Sequence, residues 1–163
     1  MFSKMIPERS FGCVRDIRLR FLQQEGIRLL MLDFDNTILP YTERRDPEWF
    51  GPWLREMHSG GITVCVVTNS RKPKAPAFCQ RWKIPVYTRA RKPSPKRLEQ
   101  VRERYNIPRE QCAMVGDQIF TDILAANRAW MHSYMVRPIN NHNIFLKARY
   151  LLQKRILKIA KRR

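Results

Sequence analysis

The stretch Leu32-Asp33-Phe34-Asp35-Asn36-Thr37 decides both the fold and the chemistry that this sequence predicts. It follows an apolar run over residues 27–32, which is typical of a strand buried on both faces of a parallel sheet. Two carboxylates one residue apart are costly at the end of such a strand unless a cation neutralises them. Asp33 and Asp35 therefore predict a site for a hard divalent ion such as magnesium, at the sheet edge where ligands of such folds bind.

Further strand-like runs follow this stretch, and helical patterns separate them. The runs cover residues 62–67, 84–87, 112–115 and 133–136, with helices predicted near 48–58, 76–82, 95–105 and 122–128. Strands that alternate with helices at this spacing predict an α/β fold of the Rossmann-like three-layer type, with a mainly parallel sheet. A chain of 163 residues is long enough for one such domain, spanning 1–163.

Each terminus is predicted to add a basic amphipathic helix. Over about 10–24, Val14, Ile17, Phe21 and Leu22 share one face of a helix. Over about 143–163, apolar residues recur at helical spacing among residues that carry only positive charge. We expect the first half of this second helix to pack on the sheet. The half beyond about Gln153 is too basic to be fully buried, and we expect it to lie at an anionic membrane surface.

Charge and cysteine usage constrain the partners and the compartment. The chain has 32 Lys and Arg against 14 Asp and Glu, a net charge of +18, and its last ten basic residues follow Asp122 without any acidic residue. Such an excess favours a polyanionic partner, either an anionic phospholipid surface or nucleic acid. Four cysteines without metal-binding spacing indicate reduced thiols. We therefore expect an intracellular protein of the cytoplasm or an organelle matrix, peripherally associated with a membrane.

Four groups of polar residues follow the predicted strands in order. They are Asp33 with Asp35, Thr68 with Asn69, Lys92, and Asp117 with Asp122. Any single group could be a turn residue or a helix cap. Four groups in order, separated by βα units, indicate a site for phosphate chemistry.

These four groups resemble the motifs of the haloacid dehalogenase (HAD) superfamily of phosphatases, and the resemblance covers essentially the whole chain. The block Asp33-Phe34-Asp35-Asn36-Thr37, the block from Gly116 to Asp122 and the basic tail after Pro138 resemble subfamily IIIA phosphatases of the YqeG type. Members of that group are similar in role to phosphatidylglycerophosphate phosphatases. The resemblance implies an enzyme that dephosphorylates phosphatidylglycerophosphate to phosphatidylglycerol, with magnesium as cofactor.

The resemblance also implies a role for each matching residue. Asp33 would be the nucleophile that forms an aspartyl-phosphate, and Asp35 would be the general acid and then the general base. Thr68, Asn69 and Lys92 would bind the transferring phosphoryl group. Magnesium would be held by the carboxylates of Asp33 and Asp117 and by the backbone carbonyl of Asp35. Thr37 and Asp122 are candidates for supporting these groups. Asp122 would either assist the metal ligands or orient Lys92, and the sequence leaves both roles open.

The spacing of the motifs predicts an open site. Neither the segment between Thr37 and Thr68 nor that between Asn69 and Lys92 has room for a cap domain. An open site suits a phosphate presented by something large, for which a lipid headgroup is our first hypothesis. A phosphoprotein and a nucleic-acid end are alternatives. A different class of function, a non-catalytic protein that binds nucleic acid or the ribosome through its basic faces, also accounts for the charge.

Overall fold

A six-stranded parallel sheet forms the centre of the computed structural model, which describes residues 2–140 and 144–160. The strand order is β1-β6-β5-β2-β3-β4. The strands are β1 (Arg9–Phe11), β2 (Leu29–Leu32), β3 (Thr63–Val67), β4 (Val86–Tyr87), β5 (Cys112–Gly116) and β6 (His132–Val136). The five strands predicted from the sequence are therefore confirmed to within two residues at each end, and β1 was not predicted.

Helices cover both faces of the sheet. They are α1 (Leu19–Gln24), α2 (Phe50–Ser59), α3 (Lys74–Trp82), α4 (Lys96–Tyr105), α5 (Leu124–Arg128) and α6 (Ile144–Ala160). A π-helical turn over Ile119–Ile123 leads into α5. The three-layer Rossmann-like fold with a parallel sheet is thus confirmed.

Strand β2 lies in the middle of the sheet and is buried on both faces, as its apolar run predicts. Leu30 and Leu32 join the apolar cluster beneath α2 and α3, whereas Leu29 and Met31 join the cluster beneath α4 and α5. Residue Leu32 is in register with residues near the ends of both β3 and β5. This register brings the carboxyl ends of the three central strands to one edge of the sheet.

The predicted helix over about 10–24 is wrong in its first half. Residues 9–11 form β1, which pairs in parallel with β6, and α1 begins only at Leu19. Pairing with β6 gives these residues backbone hydrogen bonds, and Phe11 packs edge-on against Phe21 and Tyr134. Three of the apolar residues behind the helix prediction, Val14, Ile17 and Leu22, are nevertheless buried, and the fourth is partly buried. They reach the core from a 3₁₀ turn over Val14–Asp16, from the residue after it and from α1, an interrupted arrangement that a helical pattern cannot distinguish from one continuous helix.

The C-terminal helix is present over Ile144–Ala160, and the other residues predicted to belong to it lie outside the described part of the chain. The half beyond Gln153 is not fully buried, as expected, but the packed and exposed side chains are not divided at Gln153. Ile156 and Leu157, beyond Gln153, pack against a small apolar cluster, whereas Leu151 and Leu152 are 60% and 50% exposed. The boundary between packed and exposed side chains therefore runs along the helix axis, so that both halves have an outward face.

No additional domain interrupts residues 2–140, in agreement with the predicted absence of a cap. One loop and α2 connect β2 to β3, and α3 alone lies between β3 and β4. Among the described residues, we find no helix with the length and apolar character needed to span a membrane.

Candidate active site

The carboxyl edge of the sheet brings together all four groups of polar residues that the sequence singled out. They line or adjoin a cavity of about 310 Å³. The residues lining it are Asp33, Asp35, Tyr41, Thr68, Asn69, Ser70, Lys72, Lys92, Gln118, Thr121 and Asp122. Asp117 lies directly beside this set, within the same cluster of carboxylates as Asp33 and Asp122.

The side chain of Lys92 is the central cation of this site. Its Nζ lies 2.8 Å from Oδ1 of Asp33 and 2.7 Å from Oδ1 of Asp122, and it donates to the backbone carbonyl of Val67 at 2.7 Å. Burial by itself would lower the pKa of Lys92, but the charges of Asp122 and Asp33 outweigh it and raise the pKa. Lys92 therefore stays charged. The contact with Asp122 is compatible with the predicted alternative in which Asp122 orients Lys92.

The side-chain amide of Asn69 fixes the backbone of Lys92. Asn69 Oδ1 accepts the Lys92 backbone N–H at 2.8 Å, and Asn69 Nδ2 donates to the Lys92 carbonyl at 2.9 Å. The sequence predicted phosphate binding for Asn69, and the structure gives it this positioning contact in addition. Thr68 is buried beside it, and its hydroxyl accepts the Ser70 N–H at 3.1 Å. The hydroxyl hydrogen of Thr68 remains available for donation to a phosphoryl oxygen.

Thr37 connects the first and fourth groups of polar residues. Its hydroxyl lies 3.3 Å from Oδ2 of Asp33 and 3.2 Å from Oδ1 of Asp117, and its single proton can serve either carboxylate. These contacts are compatible with the prediction that Thr37 supports the catalytic and metal-binding groups. They also hold the two carboxylates close together, which requires compensation of their charge.

The buried carboxylates outnumber the cations that neutralise them. Oxygens of Asp33, Asp117 and Asp122 all lie within 4.8 Å of one another. Burial, followed by the charges of Asp122 and Asp33, raises the pKa of Asp117 well above its usual range. Burial likewise raises the pKa of Asp122, even though Lys92 opposes the rise. A hard divalent cation would relieve the repulsion between these carboxylates, because such ions bind groups of closely spaced, negatively charged oxygen atoms. The cluster is therefore able to hold a metal ion.

Asp35 lies at the mouth of the cavity and is half-buried. Burial and the neighbouring Asp33 raise the pKa of its carboxyl, although Lys74 and Lys72 oppose the rise. A carboxyl that keeps its proton to higher pH is suited to act as a general acid. The Asp35 side chain is not part of the carboxylate cluster. The metal contact expected from its backbone carbonyl stays a prediction.

Asn36 is a residue whose role the sequence analysis did not identify. Its backbone is left-handed (φ 63°), and it turns the chain sharply after Asp35. Its side chain accepts the Asn140 N–H and donates to the Asn140 carbonyl, each at 2.8 Å. Asn36 thereby anchors the segment between β6 and α6 to the loop that carries both aspartates. Asparagine tolerates the left-handed region better than most residues, which is the signal that could have identified this turn.

Helix α6 contributes two polar residues that the sequence analysis also did not assign to the site. Gln153 is buried, accepts the Ile119 N–H at 2.6 Å and lies 3.5 Å from the Asp117 carbonyl. Arg149 lies near Tyr41 and Asp117. Burial raises the pKa of both groups, and the positive charge of Arg149 opposes the rise. The C-terminal helix therefore supports the loop that carries Asp117. No periodic signal distinguishes a buried glutamine in a basic helix from an exposed one.

Comparison with known proteins agrees with this geometry. Residues 89–138, which contain Lys92, Asp117 and Asp122, match the family model described as HAD-hydrolase-like. The chain is 28% identical over 159 residues to the probable phosphatase YqeG of Bacillus subtilis, covering 97% of this chain and 92% of that protein.

Two solved structures share the fold. The cobalt-bound deoxy-D-mannose-octulosonate 8-phosphate phosphatase of Haemophilus influenzae has a TM-score of 0.57 at 15% identity, covering 83% of this chain and 90% of that one. A HAD superfamily subfamily IIIA hydrolase of Legionella pneumophila, described as putative, has a TM-score of 0.52 at 13% identity, covering 85% and 90%. These likenesses confirm the HAD fold.

Gly116, the last residue of β5, has a specific steric role that leads to a prediction. A Cβ at this position would overlap the carboxyl of Asp122. We expect Gly116→Ala to displace Asp122 from Lys92 and to lower the rate of phosphate release from p-nitrophenyl phosphate at least about ten-fold, because small displacements of positioned groups are costly. The control is Gly26→Ala, where nothing lies within 4 Å but φ is 70°. It should lower the free energy of unfolding by about 1 kcal/mol and leave the rate unchanged. Equal rates for the two variants would contradict the positioning role of Asp122.

Proposed function

We propose that this chain, which is similar to HAD-like hydrolases, is a magnesium-dependent phosphatase that dephosphorylates phosphatidylglycerophosphate at a membrane surface through an aspartyl-phosphate. The observation that carries the catalytic part is the Asp33 carboxylate, held 2.8 Å from the Lys92 ammonium with Asp35 one residue further on. Nucleophile, charge stabiliser and proton donor thus share one open cavity of about 310 Å³, which has room for a phosphoryl group.

In the first chemical step, an oxygen of Asp33 attacks phosphorus, and the bond between phosphorus and the leaving oxygen breaks. Lys92 and the Thr68 hydroxyl stabilise charge on the phosphoryl oxygens, because catalysis of phosphoryl transfer is mostly positioning and electrostatics. The leaving alkoxide takes the proton of Asp35, whose raised pKa keeps that proton available. The products of the step are the alcohol, which departs, and a phosphorylated Asp33.

In the second step, the aspartyl-phosphate is hydrolysed by a water molecule that reaches the open cavity. Asp35, now ionised, accepts a proton from this water as it attacks phosphorus. The bond from phosphorus to Asp33 breaks, and inorganic phosphate leaves with the Asp33 carboxylate restored. The side chain of Asn69 holds the Lys92 backbone in place, so that the same cation serves both steps.

Asp33 and Asp117 are the carboxylates that would hold magnesium, with the backbone carbonyl of Asp35. When bound, the ion supplies positive charge that offsets the excess of buried carboxylates and polarises phosphoryl oxygens. Thr37 keeps Asp33 and Asp117 together, at 3.3 and 3.2 Å from its hydroxyl. Asp122 is directed toward Lys92 at 2.7 Å, which favours a supporting role for it over direct metal binding.

The outward face of α6 supports a lipid substrate. Leu151, Leu152 and Ile159 are 60%, 50% and 56% exposed, although apolar side chains of this size are usually buried. Basic residues flank or interrupt this apolar stripe, namely Lys147, Lys154, Arg155 and Lys158. An exposed apolar stripe bordered by Lys and Arg is typical of helices that lie in the interface of an anionic bilayer. Each basic residue near such a surface contributes about 1 kcal/mol.

Phosphatidylglycerophosphate combines the two features that these surfaces would recognise. Its terminal phosphomonoester suits the cavity around Asp33, and its acyl chains anchor it in an anionic membrane that α6 can contact. The absence of a cap within residues 2–140 leaves the cavity open to a headgroup that stays attached to its bilayer. A phosphoprotein or a nucleic-acid end would account for the charge but not for the exposed leucines.

Substitution of the proposed nucleophile tests the enzymatic function. We expect Asp33→Asn to lower phosphate release from phosphatidylglycerophosphate at least about a thousandfold, because it removes the attacking oxygen. The fold should persist, since Lys92 keeps Asp122 as a partner. The control is Asp46→Asn, which removes a carboxylate paired with Arg81 outside the cavity. A phosphopeptide and 3′-phosphorylated DNA serve as competing substrates in the same assay. Faster release from either one would reject the lipid as substrate, and equal release by Asp33→Asn would reject the mechanism.

Removal of divalent metal should stop turnover reversibly while the protein stays folded. Titration calorimetry with magnesium chloride should show binding to the chelator-treated protein, and Asp117→Asn should weaken it at least about ten-fold. The matched control is Glu8→Gln. Glu8 belongs to a second carboxylate and histidine cluster, with Glu25 and His132, on a more exposed part of the surface. Full activity in excess chelator, or weakening by Glu8→Gln alone, would contradict the assignment of the metal site.

The outward face of α6 gives a separate prediction about the membrane. Replacing Leu151 and Leu152 together by Gln should weaken flotation with phosphatidylglycerol vesicles at least about ten-fold, since the variant loses two side chains that bury apolar area. Hydrolysis of p-nitrophenyl phosphate should not change. The control is Trp130→Gln, another exposed apolar residue, 73% accessible, between α5 and β6. Loss of flotation in the Trp130 variant alone would place the membrane contact elsewhere. A truncation within α6 is a poorer test, because Ile156 and Leu157 pack on the core.

A further inference from the structure

A second cavity lies at the same edge of the sheet as the catalytic carboxylates. It is a groove of about 690 Å³ between α6 and the carboxyl ends of β1 and β6. Its volume falls within the range of small-molecule sites, about 300–1,000 Å³. The catalytic steps described above do not use this groove, and the membrane contact shares with it only the lysines of its rim, Lys154 and Lys158.

The walls of the groove are apolar and its rim is positively charged. Phe11 and Val136 from the two strands and Tyr150 and Leu157 from α6 supply the apolar surface. Arg137, Lys154 and Lys158 supply the charge, and no carboxylate occurs among the described residues that line the groove. Lys154 is held over the ring of Tyr150, with its Nζ 4.7 Å from the ring centroid. An apolar channel with a cationic rim is complementary to a molecule that has an apolar tail and an anionic head.

We propose that this groove binds one acyl chain of an anionic phospholipid, the lipid class on which the phosphatase acts. This inference rests on the proposed function for its choice of lipid, and it assigns the apolar part of the substrate to a place on the protein. The cations of the rim face the anionic headgroup region, and the walls remove the chain from water, at about 0.8 kcal/mol for each buried methylene.

Gln153 connects the groove to the catalytic site. It lines the groove, and its side chain accepts the Ile119 N–H at 2.6 Å beside the loop that carries Asp117. The groove and the catalytic cavity are therefore separated by one side chain and one loop. A lipid bound by a chain in the groove would keep its headgroup at the carboxyl edge of the sheet, where Asp33 and Asp117 lie.

The groove is also continuous with the proposed membrane face of α6. Lys154 and Lys158 lie one helical turn apart and line the groove, and Leu151 precedes Lys154 by one turn on the exposed side of the helix. An acyl chain that passes from the bilayer beside Leu151 into the groove would cross this row of lysines. Because lysine stems are apolar and their heads are cationic, the crossing suits an anionic lipid.

Binding of monomeric lysophosphatidylglycerol below its critical micelle concentration tests the proposal without a membrane. Calorimetry with the full chain should show affinity that rises about three- to four-fold for each added methylene between the octanoyl and decanoyl forms. Glycerol 3-phosphate, which has no chain, should not bind the groove. Affinity that is independent of chain length would overturn the proposal.

Two variants with matched controls locate the binding. Ser10→Trp places a large side chain in the groove and should weaken binding of the decanoyl form at least about ten-fold, whereas Ser59→Trp, at the end of α2, should not change it. Lys158→Glu should weaken binding by a similar factor, whereas Lys147→Glu, on the same helix but outside the groove, should not. Circular dichroism verifies that each variant is folded. Equal binding by all four variants would overturn the assignment.

Failure of this inference can be distinguished from failure of the proposed function. Phosphate release that depends on Asp33, measured on p-nitrophenyl phosphate, reports the catalytic site alone and should be unchanged by Ser10→Trp. Sedimentation of the lipid-free protein provides the remaining comparison. A dimer that Ser10→Trp disrupts would assign the groove to a second copy of the chain and would overturn lipid binding there.

Discussion

The ion pairs of Lys92 with Asp33 and Asp122 are the interactions on which the rest of the site depends. Three charged groups lie in the interior with Nζ–oxygen distances of 2.8 and 2.7 Å. Removing one partner of a buried ion pair typically costs about 3–5 kcal/mol, because the remaining charge is left uncompensated. Three features of the fold hold these groups at that separation. They are the contacts of Asn69 with the Lys92 backbone, the close approach of Gly116 to Asp122 and the register of β2 with β5.

The same arrangement leaves a deficit of positive charge that explains the chemistry. One buried ammonium faces Asp33, Asp117 and Asp122 within the described part of the chain, and Asp35 lies at the mouth. A metal ion would relieve the crowding, and in the proposed mechanism the raised pKa of Asp35 keeps a proton available for the leaving group. Outside the cavity the balance is reversed, since α6 combines exposed leucines with basic residues. The site is thus suited to a phosphate, and the basic and apolar face of α6 is suited to the anionic membrane surface that we propose presents it.

The sequence predicted the positions of Asp33, Thr68 and Asp117 because a buried apolar run that ends in a polar residue has one natural location in a parallel sheet. Residues whose role depends on distant pairing were not predictable in this way. Asn69 binds a backbone 23 residues away, and Gln153 reaches a loop 34 residues away. Strand β1 has only three residues and carries no periodic signal, so its apolar neighbours suggested a helix instead. The two faces of α6 could not be assigned, because apolar and basic residues occur on both.

The account makes its most direct claim about Asp33, and chemical trapping can test it. Enzyme mixed with excess phosphomonoester and magnesium, quenched in acid and reduced with borohydride, should carry the reduction product of an acyl phosphate at position 33 and at no other carboxylate. Peptide mass spectrometry locates the modified residue. Modification at Asp35 instead, or none while phosphate is being released, would contradict the covalent mechanism and the role of the Lys92 ion pair in supporting it.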